Sequence, residues 1–276
     1  MNEVPFFFPS NGFDLFGVMH APQAARRSTA FLFCPPFGEE MLWTRLVYVN
    51  FARELARRGY PVLRFDYRGT GDSDGDFEDS TIETYLSDIR SALGVLAEKS
   101  GASSGTGLLG LRFGATLAAL TAEAVPEVRR LVLWSPILNG AAYMQELLRV
   151  NLTTQLALYK EVRQNREALV KAMAEGRPAN VDGYEITGAM FEQASSIDLL
   201  AGSKRSEAKC LIAQIAPTPQ PTLQKELSAM CSLYQAGHGL VAVEEPFWKE
   251  IRTVYARAPR LYESTLSWLE QCENEV

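Results

Sequence analysis

Gly110-Leu111-Arg112-Phe113-Gly114 has the spacing of a nucleophile elbow, with no nucleophile in it. Gly107 to Leu111 reads as a short buried strand, and Arg112 to Val125 as a small-residue, apolar helix that starts immediately after it. A strand turning straight into a helix, with glycines two residues before and after the turn, is the G-x-S-x-G pattern. The glycines allow close packing around a turn residue held in a strained backbone conformation. Chemistry at that point needs Ser, Cys or Asp. Arg112 is permanently charged, accepts no proton and is no nucleophile. The backbone donors of an oxyanion hole survive the change. They are Phe113 N–H, just after the elbow residue, and Phe37 and Gly38 in the loop Cys34-Pro35-Pro36-Phe37-Gly38-Glu39-Glu40, whose two prolines have no N–H to give.

The partners of a nucleophile are missing too. In open α/β sheets ligands bind beyond the carboxyl ends of the strands. An acid is expected after the strand Lys209 to Ile215, where the chain reads Ala216-Pro217-Thr218-Pro219-Gln220-Pro221, without a carboxylate. A histidine is expected after the strand Leu240 to Glu244, where it reads Glu245-Pro246-Phe247-Trp248-Lys249. The chain has two histidines. His20 ends the second strand and is read as structural; His238 precedes the last strand, at the opposite end of the sheet, and is read as a solvated loop residue. Triad members act as a unit, so losing all three speaks against ordinary serine-hydrolase chemistry, and no catalytic residue is assigned. Cys34 and Ser135 lie at strand ends without a nearby base to activate them, and Cys34 is read as a small buried hydrophobe. Asp66, Asp72 and Ser73 are read as loop-shaping residues.

Strand-like and helix-like segments alternate, as in a mostly parallel sheet covered on both faces. Val4 to Phe8 and Phe13 to His20 form an opening pair, followed by the strands Ala30 to Cys34, Pro61 to Asp66, Gly107 to Leu111 and Arg130 to Ser135. Between them lie the helices Met41 to Arg58, with Val47, Phe51 and Leu55 on one face, and Ile82 to Lys99, with Tyr85, Ile89, Leu93 and Leu96 in register. From Asn139 to about Arg205 the chain is helix-forming almost throughout. A long run from Ala141 to Glu175 carries Met144, Leu148, Leu152, Leu156 and Tyr159 on one face. The sheet resumes at Lys209, with a helix from Thr222 to Gln235 and a closing helix from Pro259 to Gln271. The fold class is α/β, with residues 1–138 and 206–276 as a doubly wound core and 139–205 as an inserted helical cap.

Composition narrows the class. With 47% apolar and 22% charged residues, the 276-residue chain is an ordinary globular protein, and its net charge of −6 argues against nucleic acid as a partner. No apolar run approaches the roughly 20 residues of a membrane span. No secretory signal is read at the N-terminus. Four scattered cysteines have neither metal spacing nor a disulfide framework, which fits a cytoplasmic protein with reduced thiols. Neither a cofactor nor a metal is called for.

The elbow, together with Asp66-Tyr67-Arg68-Gly69-Thr70-Gly71-Asp72-Ser73-Asp74-Gly75, resembles the α/β-hydrolase superfamily, in particular its serine-aminopeptidase-like and lipase-like members. The resemblance covers nearly the whole chain and implies the α/β-hydrolase fold. Pro35 to Glu40, Gly110-Leu111-Arg112, Leu147-Leu148-Arg149, Gly183-Tyr184-Glu185-Ile186 and Pro246-Phe247-Trp248 resemble, more closely, the exosortase A system-associated hydrolases of the second type. That group is found near bacterial exopolysaccharide and protein-sorting systems; this chain departs from it at Tyr67-Arg68. It implies a fold and a setting, and no reaction.

Two readings of the site stay open. In one, Arg112, aided by the helix N-terminus, binds a small acyl or anionic ligand such as a carboxylate or phosphate. Phe113, Phe37, Gly38, Glu39, Glu40, Phe247 and Trp248 then surround that ligand. In the other, Arg112 forms an internal ion pair with Glu39 or Glu40 that closes the old pocket, and Phe247-Trp248 is packing. For the whole protein, the first reading is a non-catalytic hydrolase-fold protein that binds a ligand or partner. The alternative is a hydrolase or acyltransferase acting on an ester, thioester or amide through a rearranged site, with Glu39, Glu40, Glu244 or Glu245 as base.

Overall fold

The computed structural model describes residues 3–101, 105–201, 206–249 and 255–274. The chain opens with β1 (Glu3–Ser10) and β2 (Phe13–His20), antiparallel across an Asn11-Gly12 turn. Both turn residues have positive φ, 47° and 87°, the conformation a two-residue hairpin asks for and Asn and Gly tolerate. The alternating part follows: β3 (Ala30–Cys34), α1 (Glu39–Arg57), β4 (Val62–Phe65), α2 (Ile82–Ser100), β5 (Thr106–Leu111), α3 (Phe113–Ala124) and β6 (Val128–Trp134). After an excursion come β9 (Lys209–Ala216), α7 (Lys225–Cys231), β10 (Gly237–Val243) and α8 (Pro259–Asn274).

These strands make one eight-stranded sheet in the order β1-β2-β4-β3-β5-β6-β9-β10. β1, β2 and β4 pair antiparallel; every pairing from β4 onward is parallel. Because side chains alternate along a strand, the sheet feeds two cores. Leu32, Leu108 and Leu131 pack on one face, and Phe31, Phe33, Leu109 and Val132 on the other. Covered on both faces, the central strands are apolar throughout, as parallel strands are. All six parallel strands end on the same edge, and the elbow between β5 and α3 lies there.

The loop after β4 is shaped by its own polar groups. Ser73 Oγ donates to the Asp66 carbonyl and accepts from Phe16 N–H, at 2.7 and 2.8 Å. Gly71, at φ 56°, has its missing Cβ 2.1 Å from Asp66 Oδ2, so no larger residue fits. Arg68 is buried on Asp88, with Nη2 2.6 Å from Oδ1, and the Arg68 N–H and the Ser10 hydroxyl also donate to that carboxylate. This fully hydrogen-bonded pair ties the loop to α2 and the opening hairpin.

The excursion between β6 and β9 is less helical than its composition predicts. It holds α4 (Gly140–Tyr159), α5 (Arg166–Ala174), a hairpin of β7 (Ala179–Val181) and β8 (Tyr184–Ile186), and α6 (Gly188–Ser195). The long run read as one helix is broken at Lys160, which caps α4 at φ 62°; residues 202–205 fall outside the described part. The buried stripe of α4 also differs. Met144 and Leu148 are buried, but Leu156 and Tyr159 are half exposed, while Asn151 and Gln155 are buried in their place. Each i+4 step overshoots a helical turn by about 40°, so a stripe counted only in fours drifts off the buried face. The helix expected over Thr222 to Gln235 shrinks to α7, and β10 starts three residues early. His238 therefore lies within the strand, paired with Leu211 at its opening end, exposed and far along the strand from the elbow edge.

Candidate active site: an arginine in the elbow

Arg112 sits between β5 and α3 at φ 53° and ψ −124°, a strained conformation for a residue with a Cβ, worth about 1–3 kcal/mol. Its backbone is held on both sides. The N–H donates to the Trp134 carbonyl at 2.9 Å, and the carbonyl accepts from Ala115 N–H at 3.0 Å and Thr116 N–H at 3.2 Å. The flanking glycines are required by close approach. A Cβ on Gly110 would lie 2.4 Å from the Gly114 backbone, and one on Gly114 would lie 2.4 Å from the carbonyl oxygens of Cys34 and Pro35. The turn thus brings the β3 loop against the start of α3. That loop turns at Gly38, whose φ of 56° and ψ of −134° launch α1. Phe113 opens α3, so its N–H has no acceptor within the helix.

The Arg112 side chain is boxed in. Its Nε donates to Glu40 Oε1 at 3.1 Å, and Nη2 lies 3.6 Å from Glu146 Oε2. The guanidinium carbon is 5.6 Å from the centre of the Tyr143 ring and 5.3 Å from that of Trp248, within cation–π range of both. Tyr143 in turn stacks on Phe113, centroids 5.2 Å apart. Arg112 and Glu40 are 14% and 12% exposed, so the pair is largely removed from water. Burial pushes the Glu40 carboxyl up from 4.5; the charge and hydrogen bond of Arg112 and the nearby Tyr143 offset this only in part, and Glu146 adds to it. Burial works against the Arg112 charge, but Glu40 beside it raises the guanidinium further. Glu40 Oε2 and the Tyr143 hydroxyl are both buried without a well-formed hydrogen bond, and they lie near enough for each to shift the other's titration.

The structure gathers some of the sequence-derived residues and separates others. Arg112, Phe113, Glu40 and Trp248 meet at the elbow. Phe37 is buried beside them, its ring 5.8 Å from Phe113 and 5.6 Å from Phe77. Phe247 points into the core, 1% exposed, and meets Trp248 edge-on. Glu39 is not the partner of Arg112; one position earlier on α1, it lines a separate cavity. Glu244 accepts from the Arg260 N–H at 2.7 Å, close to the start of α8, and Glu245 is exposed, so neither reaches the elbow. Trp248 occupies the place after β10 where a histidine was sought.

Other reactive side chains are occupied. Cys34 is fully buried and burial drives its thiol pKa up, so it stays protonated. Ser135 Oγ accepts from Ile215 N–H at 3.0 Å, stitching β6 to β9. His20 is buried, accepts at Nε2 from Arg64 Nε at 2.9 Å, and is neutral, its pKa lowered to about 4 by burial and by Arg64. Sequence reasoning missed Tyr143 and Glu146, which reach the elbow from α4; their i, i+3 spacing on one helix was the only available signal. Among the described residues no group of three or more His, Cys, Asp or Glu could hold a metal, and no helix is long and apolar enough to cross a membrane.

Comparison with known proteins agrees with this layout. The family model for serine aminopeptidase, S33, matches residues 37–217. An uncharacterized protein of Rickettsia prowazekii is 32% identical over 104 residues, 38% of this chain and 42% of its own. The mitochondrial palmitoyl-protein thioesterase ABHD10 of Bos taurus is 33% identical over 73 residues, 26% of this chain and 23% of its own. The chain thus spans less than half the length of each of these relatives. Among solved structures, Est1E from Butyrivibrio proteoclasticus with ferulic acid bound superposes with a TM-score of 0.64 at 18% identity, covering 96% of this chain and 99% of that one. At that identity the likeness speaks for the fold alone. The strand order, the elbow between β5 and α3 and the matched 37–217 span agree: the chain belongs to the serine aminopeptidase S33 family of the α/β-hydrolase superfamily.

Proposed function

We propose that this chain is a hydrolase-fold protein that binds a ligand or partner without triad hydrolysis. One observation carries the reading: the elbow residue is an arginine whose charge is met by Glu40 and Glu146 and whose faces are covered by Tyr143 and Trp248. A side chain so enclosed plugs the place where an acyl group would be attacked. A small acyl or anionic ligand at the elbow would have to displace Glu40 first. The resemblance to exosortase-associated hydrolases supports a bacterial, cytoplasmic setting beside exopolysaccharide or protein-sorting systems, with the excursion between β6 and β9 as the cap.

A second reading has one observation in its favour. Glu40 Oε2, beside the oxyanion loop, has the Tyr143 hydroxyl near it and no well-formed hydrogen bond, which makes Glu40 the candidate base to activate a water against an ester, thioester or amide. The bovine relative is named as a palmitoyl-protein thioesterase, which makes a thioester the natural first substrate for that reading. Hydrolysis of a chromogenic panel of acyl esters and thioesters, by wild type, Arg112→Ser and Glu40→Gln, decides between them. Expected is no turnover above buffer in any of the three, because Arg112→Ser restores a hydroxyl without its histidine or acid. Turnover by wild type that disappears in Glu40→Gln overturns the binding-protein reading.

A further inference from the structure

A cavity of about 770 Å³ lies beside the elbow, between the start of α1, the helix α4, the link to α5 and the β7–β8 hairpin. We propose that it is a binding site for an uncharged, polyhydroxylated ligand of saccharide type. Its volume falls in the range of small-molecule sites, about 300–1,000 Å³. The assignment deepens the binding-protein reading above; it is tested by binding rather than by turnover, so each can fail alone.

The walls are fixed before any ligand arrives. Gln155, buried in α4, uses its whole carboxamide. Its oxygen accepts from Arg163 N–H at 2.9 Å and Gln164 N–H at 3.0 Å, and its nitrogen donates to Asn151 Oδ1 at 2.7 Å and the Gln164 carbonyl at 3.1 Å. Asn151, also buried, donates to the Asn180 carbonyl at 3.0 Å and so ties α4 to β7. Two buried carboxamides in a helix core are a local departure from apolar packing, and their effect is to hold the link and the hairpin edge around an open space. A site held this way loses little freedom on binding.

The lining then selects by exclusion. Among the described lining residues no side chain is aliphatic and Tyr159 is the one aromatic, so most of the side chains offered are partners for hydrogen-bonding groups rather than for an acyl chain. Three lining residues are charged and of both signs, Glu39, Asp182 and Arg163. Arg163 is already engaged, its guanidinium 3.7 Å from the Tyr159 ring centre and its Nε 3.3 Å from Glu161. Asp182 in the wall repels anions, while Arg163 beside it opposes a cation. The other seven of the ten described lining residues are uncharged, so a ligand with donors and acceptors but no net charge fits best.

One group asks for a donor. Asp182 Oδ1 in the hairpin turn is buried with no hydrogen-bond partner. A buried acceptor without a partner is unfavourable, and a small rotation of the carboxylate toward the cavity would let a ligand hydroxyl satisfy it. Thr154 and Gln164 add further hydrogen-bonding side chains, and Tyr159, whose ring carries Arg163 over one face, is half exposed and leaves the other face for the C–H surface of a sugar ring.

Isothermal titration calorimetry of the full chain tests this with maltose, lactose and N,N′-diacetylchitobiose, against spermidine and octanoate as charged probes. Expected is saturable heat from at least one disaccharide, none from the charged probes, and a Kd at least tenfold weaker in both Tyr159→Ala and Gln164→Leu. Asp182→Asn, which keeps a residue suited to the positive φ of the turn, should weaken the same disaccharide while the melting temperature stays within a degree or two of wild type. Absence of heat from all three disaccharides at millimolar concentration overturns the proposal. So does a disaccharide Kd unchanged by both wall substitutions, or spermidine or octanoate binding that Tyr159→Ala abolishes.

Discussion

Replacing Arg112 with methionine removes the guanidinium, keeps much of its volume and leaves the Glu40 carboxylate facing Tyr143 without a cation. At the observed 3.1 Å, the lost attraction is about 5 kcal/mol for an effective dielectric of about 20. Desolvation opposes that gain while the pair exists, and breaking a buried pair costs about 3–5 kcal/mol in net. With the partners 14% and 12% exposed, the lower end applies, about 3 kcal/mol at pH 8.

That loss depends on pH, and its sign follows from Glu40. Burial holds the folded carboxyl above its ordinary value of 4.5, and removing Arg112 deletes the main influence pulling it down. A carboxyl raised in the folded state favours folding fully below its unfolded pKa, and that contribution is lost as pH rises through the folded pKa. The variant's deficit therefore grows between pH 5 and 8, by at most about 1.4 kcal/mol per pH unit for one proton. Urea denaturation at both pH values should show Arg112→Met losing about 3 kcal/mol at pH 8 and less than half of that at pH 5. Adding Glu40→Gln removes the stranded charge and should recover at least half of the loss at pH 8. Equal losses at both pH values, or additive losses in the double variant, would refute the view that this ion pair closes the elbow.

Three further outcomes test the scaffold. His20, buried and held neutral by Arg64, has its pKa lowered from 6.5 to about 4. Its stabilising contribution is present above pH 6.5 and lost as pH falls toward 4, about 3 kcal/mol in all at about 1.4 per pH unit. A His20→Gln variant should show a flatter urea-midpoint profile over that window, and an NMR titration placing the ring near 6.5 would contradict it. Gly114→Ala puts a Cβ 2.4 Å from two carbonyl oxygens and should fail to express folded or lose more than about 3 kcal/mol. Gly94→Ala, exposed within α2 with nothing within 4 Å of the new Cβ, should instead raise stability by about 0.5–1 kcal/mol in urea denaturation.

The sheet was legible because its signals are local and redundant. Ala30 to Cys34 is five consecutive buried residues, too short for a buried helix and closed by Pro35-Pro36, which is how a strand covered on both faces reads. The Asn11-Gly12 hairpin and the Gly110/Gly114 spacing likewise carry their geometry in residue type. The excursion was less legible because its code is not apolar. Asn151 and Gln155 look like surface residues, yet they are buried to hold the α4–α5 link, so a stripe read through Leu152 and Leu156 ran along the wrong face. The β7–β8 hairpin is three residues a side around Asp182-Gly183, too short for strand periodicity to register.

The choice between Glu39 and Glu40 shows where local signals end. Adjacent residues on a helix point about 100° apart, so only one of the two can face the elbow. Which one does so is fixed by the phase at which α1 begins, and that phase is set at Gly38, whose φ of 56° turns the chain out of the β3 loop. The loop's own position depends on its Cys34 and Pro35 carbonyls lying against Gly114. That packing of the β3 loop on α3 thus aims Glu40 at Arg112, 72 residues away in sequence, and leaves Glu39 at the neighbouring cavity. A substitution at Glu40 should therefore disturb the elbow and its stability, and one at Glu39 should leave the Arg112 ion pair in place.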